Sequence, residues 1–173
     1  MTTQVTDYLK YANLQMAAEA LYGFPPGSSL APGQHYFGEI KVNFLTDGNN
    51  HASKFTPTLA AEFVQQWDVV QHLSNTETGF SGTLFRGKAG GLYAGELVLS
   101  FRSTEFVDDQ VRDSGVTNKG IKEFGWAFGQ IADMEDWYAS LKASGAIAEG
   151  ARFAVTGYSL GGHMVLGGKR CTA

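Results

Sequence analysis

Apolar positions along the chain fall into alternating helical and strand-like runs. From Val5 to Leu21, Leu9, Ala12, Met16 and Ala20 recur at three-to-four spacing beside Leu14, Ala17 and Leu21, which predicts an amphipathic helix. Gly23 and the pair Pro25-Pro26 stop it. Residues Gly27 to Gly38 read as a loop rich in Gly, Pro and Ser, Ile40 to Leu45 as a short strand, and Asp47-Gly48-Asn49-Asn50 as a turn. A second helix is predicted from Thr56-Pro57, a capping residue followed by proline at the first helical position. Its buried stripe is Ala60, Phe63, Val64, Trp67 and Val70.

Phe80 to Phe85 and Leu97 to Phe101 read as strands, and the connection from Gly87 to Gly95 is short enough for an antiparallel pair. A polar stretch from Glu105 to Gly120 follows. A long helix is then predicted from Lys122 to Ala143, with Phe124, Phe128, Ile131, Met134, Tyr138 and Leu141 in period. The last apolar run, Phe153 to Thr156, fits a strand that enters Gly157-Tyr158-Ser159-Leu160-Gly161 directly. Strand, helical crossover, strand favours a parallel pair, and the whole alternation indicates an α/β class.

Composition narrows the possibilities. A length of 173 residues suits one domain, apolar content is 43% and charged content 17%. The net charge of −4 offers no electrostatic attraction to nucleic acid or anionic membranes. Cys171 is the only cysteine, so no disulfide can form within the chain. The N-terminal residues show no secretory signal pattern, and no apolar run approaches the ~18 residues of a transmembrane segment. The compartment stays open, secretion by a signal-less route included. One acidic turn at Asp47 lacks the six or more oxygens that calcium requires, so no metal site is expected, and no cofactor is implied.

The chemistry concentrates at Ser159. In G-x-S-x-G a sharp strand-to-helix turn lifts the serine hydroxyl above a sheet edge. Glycines flank it because side chains there would collide with the neighbouring strand and helix. Ser159 is thus the candidate nucleophile, against the plainer reading of a serine in a Gly-rich turn. Leu160 matters through its backbone N–H, which can donate to a developing oxyanion.

Two stretches together resemble a family. Val98-Leu-Ser-Phe-Arg-Ser-Thr104 with Asp109 and Asp113, followed about fifty residues later by Val155-Thr-Gly-Tyr-Ser-Leu-Gly-Gly162, is similar to the paired motifs of the class 3 lipases. The resemblance spans roughly Leu97 to Gly162. Ser103 stands where that family prefers Gly, Gln110 where it prefers Trp, and Tyr158 where it prefers His; none of these removes a reacting atom.

What the resemblance implies is an α/β-hydrolase fold and a serine carboxylic-ester hydrolase. Its substrate would be a lipid ester, triacylglycerol or phospholipid (A1 type), with contact to a lipid interface and no nucleic-acid partner. It also implies that Thr104 supplies the other oxyanion donor; the alternative is a strand-end threonine bonded to nearby backbone. By the same resemblance Glu105 to Gly120 is expected to be lid-like. Arg102 is expected to pair with Asp109 or Asp113, unless these are solvated helix-start charges.

In this fold the triad order is Ser, then Asp or Glu, then His, yet fourteen residues follow Ser159. Gly167-Gly168 would cost a helix interior about 2 kcal/mol relative to alanine. Residues 1–173 are therefore expected to form a single incomplete domain, truncated after the elbow and inactive as a fragment. His163 reads as a packing residue, and a base drawn from His35, His51 or His72 would need a long reach. Competing readings are a serine peptidase or acyltransferase of the same fold, or a non-catalytic fragment.

Overall fold

The computed structural model describes residues 5–49, 53–103, 128–158, 161, 162 and 165. In chain order these form α1 (Val5–Ala18), β1 (His35–Gly38), α2 (Val42–Asp47), α3 (Pro57–Gln66), β2 (Trp67–Leu73), β3 (Gly82–Gly87), β4 (Leu97–Phe101), α4 (Phe128–Ala143) and β5 (Ala154–Gly157). The strands make one mixed sheet in the order β1-β2-β3-β4-β5. β1 to β4 pair antiparallel in succession, and β5 joins β4 in parallel. The class is mixed α/β. Among the described residues no helix is long and apolar enough to cross a membrane.

Each face of the sheet is covered by helix. Alternation along β4 shows how: Val98 packs with Leu14 and Ala17 of α1, Phe44 of α2 and Phe63 of α3. Leu99 and Phe101 point the other way, onto Met134, Trp137 and Leu141 of α4. α1 therefore lies on one face and α4 on the other, with β4 between them. Gly82 lies so close to Trp137 that a Cβ there would run into the indole ring.

Several expectations change. The segment from Ile40 to Leu45 is not a strand: residues 42–47 are α2. Phe44 and Leu45 are both buried in the same cluster, which a strand would forbid by sending neighbours to opposite faces. A helix holds adjacent residues within one wide apolar stripe. The loop expected over Gly27 to Gly38 ends in β1, a short edge strand whose largely exposed residues lack the alternation that would reveal it.

α3 begins as expected, with the Thr56 hydroxyl accepting from the Leu59 N–H at 3.3 Å and proline at the first turn. It ends four residues before Val70. Trp67 caps it by donating its N–H to Phe63 O and starts β2 at once. Trp67 and Val70 therefore belong to a strand absent from the sequence reading. Its pattern is concealed by a register shift: Val69 faces Phe85 and Gln71 faces Leu84, with Val70 extra between them. This bulge moves Val69 into the α1–α3 cluster and Leu73 into the α4 cluster, although they are four residues apart.

The outer helices also turn differently from their periodicity. Leu9 is 61% exposed, and the buried residues of α1 are Lys10, Leu14, Ala17 and Ala18. In α4, Phe128 is exposed and the inward stripe runs through Gln130, Met134, Trp137 and Leu141. The expected strands from Phe80 and Phe153 begin later, at Gly82 and Ala154. The expected helix from Lys122 is described only from Phe128, and the lid-like stretch Glu105 to Gly120 lies outside the described residues.

Candidate active site

β4 and β5 leave the sheet together. Their register partners are Val98 with Ala154, Leu99 with Val155, Ser100 with Thr156, and Phe101 with Gly157. The chain segments Arg102-Ser103 and Tyr158 therefore depart side by side from one edge. Thr104 and Ser159 are the next residues of those two segments; they and Leu160 lie outside the described residues, as do His51 and His163. What surrounds them can be described.

Beyond β5 the backbone is helical at Gly161, Gly162 and Val165. Strand thus gives way to helix within a few residues, and the glycines are where the backbones crowd. A Cβ on Gly157 would collide with the Gly161 carbonyl, and one on Gly161 with the Phe101 carbonyl and, at 2.9 Å, the Arg102 carbonyl. Gly157 therefore permits the reversal, while Gly161 permits the new helix to sit against the end of β4. Both positions require a residue without a side chain for steric reasons.

A buried polar layer lies beneath these strand ends on the α1 face. Cross-strand register aligns Tyr36, His72, Thr83, Ser100 and Thr156 in one row across all five strands. His72 Nδ1 and Thr83 Oγ1 are 2.8 Å apart, and the Thr156 hydroxyl donates to Ser100 Oγ at 2.7 Å. Gln15 of α1 binds the β4–β5 end of the row. Its Oε1 accepts from Ser100 Oγ at 2.9 Å and from Thr156 Oγ1 at 3.4 Å, while its Nε2 donates to Phe101 O at 2.9 Å.

One turn further on, Glu19 completes the attachment. Its Oε1 accepts the Ser103 N–H at 2.8 Å and Gln15 Nε2 at 3.0 Å; its Oε2 lies 4.0 Å from Arg102 Nε. Both charged side chains are at most 5% exposed. Arg102 therefore has Glu19 as its acidic neighbour, where the sequence suggested Asp109 or Asp113; those two residues are outside the described region. Arg102-Ser103, the strap that leaves the end of β4, is further anchored by the Arg102 N–H donating to Ser81 O at 3.0 Å.

The field of this layer keeps its histidine neutral. Burial, then the positive charge of Arg102 and the proximity of His35, hold the His72 pKa well below the usual histidine value. Tyr22, whose ring centroid is 4.6 Å from that of His72 in a tilted arrangement, has its pKa raised, chiefly by burial. Neither His72 nor His35 is near the end of β5. With strands about 4.8 Å apart, β2 and β1 lie about 14 and 19 Å from β5, too far for direct hydrogen bonding to a side chain there.

Above the strand ends an open groove of about 1040 Å³ runs between α1 and β5, bordered by Tyr11, Gln15, Met16, Glu19, Ser103, Thr156, Gly157 and Tyr158. Its walls are largely apolar, and Gln15, Glu19, Ser103 and Thr156 are among its polar lining residues. Sequence reasoning missed Gln15 and Glu19. One signal was present: Glu19 is a carboxylate inside the apolar run Ala17-Ala18-Glu19-Ala20-Leu21, a placement that demands partners. No protein-family model, curated protein or solved structure matches the chain.

Proposed function

We propose that this chain carries the nucleophile elbow of a serine carboxylic-ester hydrolase of the α/β-hydrolase fold, similar to the class 3 lipases. Ser159 is the nucleophile, and the backbone N–H groups of Leu160 and Thr104 are the oxyanion donors. The observation that carries this reading is the pairing of β4 with β5 in register to their last residues, with Gly157 and Gly161 crowded against backbone just beyond. Two segments separated by more than fifty residues thereby start from one sheet edge, as two donors converging on one oxygen require.

The chemistry follows from the residues assigned. Ser159 Oγ attacks the carbonyl carbon of a lipid ester as a base removes its proton, and the carbonyl oxygen becomes the anion that the two N–H groups stabilise. Collapse expels the alcohol and leaves an acyl-serine. Water then adds to the acyl carbon, the fatty acid departs and Ser159 recovers its proton. Neither His35 nor His72 is placed to act as that base. The groove beside Gly157 has the size and apolar walls of a small-molecule site, which suits an acyl chain.

The test is hydrolysis of short- and long-chain nitrophenyl esters by the full gene product, with a fluorophosphonate probe to locate the nucleophile. The expected result is covalent labelling of Ser159 and turnover that Ser159→Ala reduces by at least a thousandfold, within the loss of about 10⁶ seen on removing a catalytic serine. Labelling elsewhere, or hydrolysis that survives Ser159→Ala, overturns the reading.

A further inference from the structure

We propose that Glu19 is a positioning residue for oxyanion stabilisation: its carboxylate holds the Ser103 N–H and thereby sets the strap that delivers Thr104. This inference rests on the hydrolase reading above.

Glu19 is remote in sequence from the strap, 84 residues before Ser103, and is buried with it. Removing a carboxylate from water is costly unless its lone pairs are used, and here Oε1 accepts from both a backbone N–H and a side-chain amide. A carboxylate accepting from a backbone N–H makes a short, charge-assisted bond, stronger and more directional than a neutral contact. The Ser103 N–H, at 2.8 Å, is one residue before the proposed donor. Fixing that peptide limits where the next N–H can point.

The helix that ends just before Glu19 sets the opposite side of the site. Gln15, four residues earlier, donates to the carbonyl of Phe101, the last residue of β4, and accepts from Thr156, the penultimate residue of β5. The Gln15 amide also donates to Glu19 Oε1 at 3.0 Å, so the two side chains form one unit. Gln15 near the end of α1 and Glu19 just past it therefore hold the ends of both strands and the start of the strap. Arg102 Nε lies 4.0 Å from Glu19 Oε2, which places a guanidinium beside the carboxylate oxygen that the Ser103 N–H does not use. Apolar packing alone would have no use for a carboxylate directed at a main-chain donor.

The experiment uses the full gene product with Glu19→Ala, which removes the acceptor, and Glu19→Gln, which retains an acceptor without the charge. Active sites are counted by fluorophosphonate titration, so that misfolded molecules do not enter kcat. The expected result for Glu19→Ala is a kcat about 10- to 100-fold lower, the range of a misplacement near 1 Å. KM should change less than threefold, and affinity for an alkyl boronic acid, which forms a tetrahedral adduct, should fall with kcat. Glu19→Gln should recover at least a third of the wild-type kcat.

The Ser103 amide proton provides a readout independent of turnover. Its downfield shift should disappear in the Ala variant and persist in the Gln variant. Unchanged kcat per titrated site in Glu19→Ala, or an unmoved Ser103 shift, overturns the positioning role while leaving Ser159 as nucleophile. If the Ala variant does not fold, the Gln variant decides: loss of kcat as large as 100-fold with the Ser103 bond intact also overturns it. Wild-type protein with the Ser103 shift in place but no Ser159-dependent hydrolysis overturns the hydrolase reading, and the oxyanion role of Glu19 with it.

Discussion

His72 shows how one residue on the sheet ties the polar layer to pH. Its ring is fully buried against Tyr22, its Nδ1 faces Thr83, and Arg102 acts on it electrostatically. The folded protein thus holds it neutral well below pH 6.5, whereas the unfolded chain protonates it near 6.5. Below about pH 6.5 the unfolded state binds a proton that the folded state refuses, so stability falls as pH falls and is fully present above that value. His35, also lowered by burial, acts in the same direction. One such group steepens the loss towards about 1.4 kcal/mol per pH unit. Urea unfolding at pH 7.5 and pH 5.5 checks this. His72→Gln should give a smaller difference between the two than wild type, and an equal difference would show that other groups set the slope.

Elements were legible in the sequence where local chemistry defined them. Thr56-Pro57 marked the start of α3 because a hydroxyl cap and a proline act within one turn. Thr56→Ala should therefore lower stability by about 1 kcal/mol in urea melts, and Thr56→Ser should change it little. A Thr56→Ala variant as stable as wild type would show that the cap bond contributes nothing. β4 was legible as a short apolar run following the Gly87 to Gly95 connection, and the end of α3 was not. Phe63 and Trp67 keep helical spacing whether or not the helix continues, because residues four apart also meet when the second one caps it. β2 lost its alternation at Val70, and no local signal announces a bulge whose purpose is to move side chains between two cores.

At the scale of the whole molecule, the sheet is ordered from its centre outward. β3 has a strand on each side, whereas β1 and β5 are each paired on one side among the described residues. Hydrogen exchange should be slowest at Gly82–Gly87, faster along Ala154–Gly157, and faster again in exposed β1. Protection in β5 equal to that in β3 would mean that its outer edge is covered in solution. The layered arrangement also explains the gap between α1 and β5. α1 reaches across to the strand ends through Gln15, and Glu19 does so just past its end; the open space beside them becomes the groove at the proposed site.

The sequence by itself determined the α/β class, the neighbouring parallel strands that end in the two motifs, and the need for glycine at 157 and 161. The first two follow from the order of strand and helix runs along the chain, and the glycines from a motif whose turn leaves no room for a Cβ, although the Phe101 carbonyl that crowds Gly161 is brought there by the sheet. Only the tertiary structure decided which residues support the strand ends. Glu19 and Gln15 are specified by no local pattern, and Arg102 had more than one acidic candidate within reach along the chain. Their partners were selected when α1 docked across β4 and β5, because a buried carboxylate and guanidinium must satisfy their polar groups with whatever the packing brings beside them.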